Sequence, residues 1–148
     1  LGDGLSTMRC LLTAALLITL SACQCIARVT VSGSLERGII FHAPGGTSDF
    51  IGQGELHDLM VSMVGSNDTA PVWHIKGKAR VNSLTYGVVP AGMSADTPAK
   101  TLELGHTYVI RIEGSAGTFT LPCYGGVSFA IGTDGKIKSC YEEESRCG

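Results

Sequence analysis

From residue 26 onward, turn-forming residues interrupt the apolar segments so often that no stretch demands a long helix. The chain carries 20 glycines, and they fall between short apolar runs. Such punctuation suits strands joined by tight turns, because a strand crosses a domain in only a few residues. Alternation inside the runs agrees. In Ile26–Ser32, Ala27, Val29 and Val31 fall on one side, with Arg28 and Thr30 on the other, which is the period of a strand. Aromatics make up 6% and charged residues 16% of the chain; a disordered chain is more charged and less apolar.

The strands expected are Ile26–Ser32, Gly38–His42, Glu55–Val64, Val72–Ile75, Val81–Tyr86, Leu102–Ile112, Thr118–Leu121, Val127–Ile131 and Lys136–Tyr141. Glu55–Val64 needs arbitration. Leu56, Leu59, Met60 and Met63 fit a helix face, whereas Leu59, Val61 and Met63 fit a strand face. The turn residues Gly65 to Asp68 and the apolar run after them favour a strand in a hairpin. Thr47–Gly54 and Ser94–Ala99 read as loops. Asp134-Gly135 predicts a type I′ hairpin turn, and Glu142 to Ser145 a solvated, frayed tail. This layout predicts an all-β, two-sheet sandwich.

Leu102-Glu103-Leu104-Gly105-His106-Thr107-Tyr108-Val109-Ile110-Arg111-Ile112 resembles the approach to the sixth strand of fibronectin type III and other immunoglobulin-like domains. In those domains a leucine, a tight turn and a tyrosine make a tyrosine corner. The resemblance implies an immunoglobulin-like sandwich in which Trp73 is the buried core tryptophan. It implies no activity.

The N-terminal segment points to a location. Met8-Arg9 precedes the apolar run Leu11–Leu20, and residues 1–7 read as upstream of the true start. A ten-residue helix is about 15 Å long, about half of a bilayer's hydrocarbon core. The run therefore reads as the core of a signal peptide. Leu20-Ser21-Ala22-Cys23 resembles the lipobox of bacterial lipoproteins. By that resemblance the Cys23 thiol takes a diacylglyceryl group and its freed amine an acyl chain, and several chains together hold a protein firmly on a membrane. Gln24 in place of aspartate implies the outer membrane, facing the periplasm. Residues 1–22 would then be address, and 23–148 a single domain. Val72–Gly77, Leu84–Gly92 and Leu104–Tyr108 are similar to segments of small uncharacterised lipoproteins of Gram-negative bacteria, which adds location and no chemistry.

The chain has six cysteines. With Cys10 in the signal and Cys23 lipidated, Cys25, Cys123, Cys140 and Cys147 remain, an even number for an oxidising compartment. Four cysteines allow three pairings. The expectation is Cys123 with Cys140 or Cys147, and Cys25 free beside the anchor. No C-x-x-C spacing suggests zinc.

Net charge is −2, with no basic stripe, so nucleic acid is not an expected partner. His42, His57, His74 and His106 form no metal-ligand spacing. His57 and His74 would approach if their strands paired, and Asp58 would complete a metal site. The simpler expectation is four surface or half-buried strand histidines and no metal or cofactor. No G-x-S-x-G elbow or phosphate loop occurs, and Ser128 falls within a strand. Glu55 and Asp58 are the nearest carboxylate pair, best explained as a solvated strand face. Asn67-Asp68-Thr69 matches a glycosylation acceptor but reads as a turn. Trp73, Tyr86 and Tyr108 are expected in the core. Tyr124, beside Cys123 in a glycine-rich loop, is the exposed aromatic expected to contact a partner. The reading is a non-enzymatic, lipid-anchored envelope module that binds or supports another envelope protein. The alternative is an inhibitor of a lysozyme or protease acting through a Cys123–Gly126 loop.

Overall fold

The computed structural model describes residues 25–42, 54–65, 70–81, 83–116 and 121–140. The expected signal segment with Cys23, all but Gly54 of the expected Thr47–Gly54 loop, the Asn67–Thr69 acceptor, residues 118–120 of the expected Thr118–Leu121 strand and the expected tail with Cys147 lie outside them. The described residues form ten strands: β1 (Cys25–Ala27), β2 (Thr30–Ser34), β3 (Gly38–His42), β4 (Glu55–Met63), β5 (Trp73–Ala79), β6 (Ser83–Thr85), β7 (Met93–Thr97), β8 (Thr107–Ala116), β9 (Leu121–Ile131) and β10 (Ile137–Cys140). They make two packed sheets. The larger runs β1-β9-β8-β4-β5-β7, with β10 also on β9, and the smaller runs β2-β3-β6. The fold is an all-β sandwich.

Alternation builds the core. Leu59 and Val61 of β4, Trp73 and Ile75 of β5, Tyr108, Ile110 and Ile112 of β8, and Val127, Phe129 and Ile131 of β9 are all buried. They face Val31, Ile39, Phe41 and Leu84 from the smaller sheet. Aromatic rings tie the sheets together. The Phe41 ring of β3 lies 6.4 Å from Trp73 and 5.7 Å from Phe129, and Tyr86 meets Trp73 edge-on at 5.1 Å.

The approach to β8 is pinned by a side chain. The fully buried Tyr108 places its hydroxyl 2.8 Å from the backbone N–H of Glu103, from which it accepts a hydrogen bond. Leu102 is buried beneath this turn, and Gly105 turns the chain with φ near +76°, a conformation glycine adopts without a Cβ penalty. This is the geometry of a tyrosine corner.

Several expectations change. Ile26–Ser32 is two strands, because the chain crosses from the large sheet (β1) to the small one (β2) around the buried Val29. Gly33-Ser34 reads as a turn in the sequence, yet both residues end β2, and the turn follows at Leu35–Arg37. Met93–Thr97, expected as loop, is the edge strand β7, which pairs with β5 from His74↔Thr97 to Gly77↔Met93. Leu121–Ile131 is one continuous strand, paired with β8 along its length. The β9–β10 turn spans more than the two residues of a type I′ hairpin, because Ile131 pairs with Ile137.

The outer edge of β9 is shared. β1 lies parallel along Cys123–Gly125, and β10 lies antiparallel along Ser128–Ile131. A Cβ at Gly125 would strike the Ala27 carbonyl, so the missing side chain lets β1 approach. β10 also reaches the other sheet: the Ser139 hydroxyl donates to the Val31 carbonyl at 3.2 Å, and Ser34 bridges to Lys136. That side of the sandwich is thereby closed.

Candidate functional site

The two ends of β9 define two poles. Because β1 runs parallel to β9, the start of the described chain sits beside Cys123. Ile131 lies eight residues further along β9, which at about 3.3 Å per residue is ~26 Å away. At that far pole the β2–β3 turn, the β9–β10 turn and the Leu104 segment surround an open groove of about 780 Å³. Leu35 and Leu104 give it apolar contact, and Glu36, Arg37, Asp134 and Lys136 give it both signs of charge. Leu104 is 51% exposed. The Lys136 backbone N–H donates to Asp134 Oδ1 at 3.1 Å, and this bond is the largest cause holding the Asp134 carboxyl below its ordinary value. The loop carboxylate is thus fixed as an anion at the mouth of the groove. Loop-built concavities on a rigid scaffold are where binding residues collect. Sequence reasoning missed this groove because its lining comes from three separate turns.

The outer face of the large sheet carries a second polar cluster. His74 Nε2 is 3.1 Å from the Asp58 carboxylate, and His74 Nδ1 is 3.1 Å from Asp96 Oδ2. Lys76 Nζ stands 3.4 Å from the same Asp96 oxygen. β4, β5 and β7 supply these groups, so the ring ties three adjacent strands across their outer face. With a carboxylate on each nitrogen the imidazole bridges, and it does not chelate. Among the described residues no group of three His, Cys, Asp or Glu side chains is placed to hold a metal ion.

β4 and β5 pair as the expected hairpin, but His57 is turned to other partners than His74. Leu56 pairs with Gly114 and Asp58 with Glu113, so His57 is the extra residue of a β-bulge, and such bulges re-aim side chains. It turns to Glu55 and to the buried Ser115, whose Oγ is 3.2 Å from His57 Nε2. Glu55 Oε2 lies 3.6 Å from that same nitrogen. A serine–histidine–acid triad needs the serine and the acid on opposite ring nitrogens, and this trio does not provide them. Glu55 and Asp58 are likewise drawn apart, one to His57 and Arg80, the other to His74.

Tyr124 is 47% exposed but is not in a loop. It lies inside β9, between Glu113 of β8 and Ile26 of β1. Ile26 is 75% exposed, so the two make an apolar spot at the pole where β1 begins. Cys123–Gly125 is therefore paired on both edges and Gly126 with β8, so the expected loop is strand.

Cys123 and Cys140 are buried, and each is engaged in a disulfide. They are not bonded to each other. Cys140 pairs with Ser128, five residues along the extended β9 from Cys123, about 16 Å. A disulfide needs Cα atoms within about 7 Å. The expected Cys123–Cys140 pair is corrected on this ground.

No protein-family model matches the chain, and no match to it is found among curated proteins or solved structures.

Proposed function

We propose that this chain is a lipid-anchored module of the bacterial cell envelope, with an immunoglobulin-like sandwich that binds another envelope component without catalysing a reaction. The observation that carries the reading is the polarity of the sandwich. The strand that follows the lipobox-like cysteine starts at one pole, and the charged, leucine-edged groove opens at the other. A tether at Cys23 would hold the groove about 26 Å beyond the β1 end, given the rise of β9.

Two further features support it. Disulfides at Cys123 and Cys140 fit an exported protein, since the cytosol keeps thiols reduced. For the immunoglobulin-like assignment, β4, β8 and β9 lie in the C-F-G order of those domains, and β8 carries the tyrosine corner. Trp73 departs from the pattern, because it stands on β5 and not on β4.

The test has two arms. Mass spectrometry of the membrane fraction is expected to find an N-terminal peptide beginning at Cys23 and carrying fatty chains. An unmodified N-terminus at another residue would overturn the anchor. Crosslinking in intact cells from a photoreactive residue at Leu104 is expected to capture an envelope component, and a control at Ile26 is not. Equal capture from both positions, or none from Leu104, would overturn the groove as the binding surface.

A further inference from the structure

We infer that Cys25 and Cys123 form a disulfide that welds the first strand to the large sheet. The inference does not depend on the lipid anchor. Cys123 is bonded, and its partner is not Cys140 for the distance given above. In the parallel β1–β9 ladder Cys25 is the Cα partner of Cys123. Neighbouring strands lie about 4.8 Å apart, inside the range of about 4.4–6.8 Å that a disulfide spans between Cα atoms. Direct partners in a ladder also share a face. Ile26 and Tyr124, the next pair, are both exposed. Cys123, one position before Tyr124, faces the other way and is buried.

β1 makes a short ladder with β9. It is three residues long, pairs along one edge, and its middle residue, Ile26, is exposed. A covalent bond to β9 converts this short strand into a fixed part of the sheet. Cys23 and Cys25, two positions apart, then have separate fates.

The bond forms by oxidation. The two thiols together lose two protons and two electrons, and the electrons pass to a protein disulfide oxidant of the exported compartment, whose own disulfide becomes a dithiol. The route is thiolate attack through a mixed disulfide.

The experiment is tryptic mapping of the full-length exported chain, with free thiols alkylated and no reductant. The expected product joins the peptide ending at Arg28 to Ile112–Lys136, which carries Cys123, and reduction separates them. A link from Ile112–Lys136 to the peptide carrying Cys147, or alkylated Cys25, would overturn the inference. The same map on Cys23→Ser is expected to keep the link. Its loss there would assign Cys123 to Cys23, which would overturn both this inference and the lipid anchor. A retained link with no fatty chain on the wild-type Cys23 would overturn the anchor alone.

Discussion

The Tyr108 hydroxyl accepts the backbone N–H of Glu103, five residues earlier in the chain, at 2.8 Å. Tyr108 has no exposed surface, so removal of the oxygen leaves that amide without its protein partner. Tyr108→Phe is expected to cost about 1–3 kcal/mol, the range for an abandoned donor. Gly105→Ala in the same turn is expected to cost about 1 kcal/mol, because alanine resists a positive φ. Urea denaturation midpoints read both. No change in either variant would mean the corner is ornamental to stability.

Trp73 lies between Phe41 and Tyr86, in contact with both sheets. Trp73→Ala should destabilise the domain by about 3–5 kcal/mol, the cost of emptying a large aromatic site. For a domain of this size that approaches the whole of its stability. Thermal unfolding should therefore show a strongly lowered or absent transition.

Alkaline pH should loosen the same core. Burial raises the pKa of the Tyr86 hydroxyl well above its ordinary value, and burial raises that of Tyr108 as well. A group with a higher pKa folded than unfolded contributes its stability fully below the unfolded value, about 10 for tyrosine. That contribution is lost as pH climbs through the folded value. Urea midpoints should be level between about pH 7 and 9 and fall above about pH 10. Tyr108→Phe should flatten part of that fall. A midpoint that stays level above pH 10 would contradict the burial of these hydroxyls.

Gly125 admits β1 against β9 because a Cβ there would strike Ala27. Gly125→Val is expected to displace β1 and to expose the amides of Cys123–Gly125 on that edge. Hydrogen exchange should show faster exchange in this segment than in Ser128–Ile131, which β10 still covers. Uniform protection along β9 would contradict the pairing.

Where one face of a strand is buried, the sequence announced it. Tyr108, Ile110 and Ile112 alternate with Val109 and Arg111, and the structure buries the first set. β4 obeyed the same rule once Leu59 and Val61 were read as a strand face. β7 escaped because an edge strand can be polar on both sides: Ser94, Ala95 and Asp96 are all exposed. With β7 hidden, Asp96 could not be seen beside His74, although the pairing of β4 with β5 made Asp58 foreseeable. Gly125 and Gly126 misled in the other direction. In β9 they give neighbouring backbones room, which looks identical to a loop in a sequence. The groove was illegible because turns distant in sequence meet there only through register.

The sharing of β9 between β1 and β10 leaves β7 as the other margin of the large sheet. β7 is short, follows Pro90, runs into Pro98 and carries Asp96, features that discourage another chain from adding a strand. That margin therefore resists the edge-to-edge zipping by which neighbouring copies build fibrils.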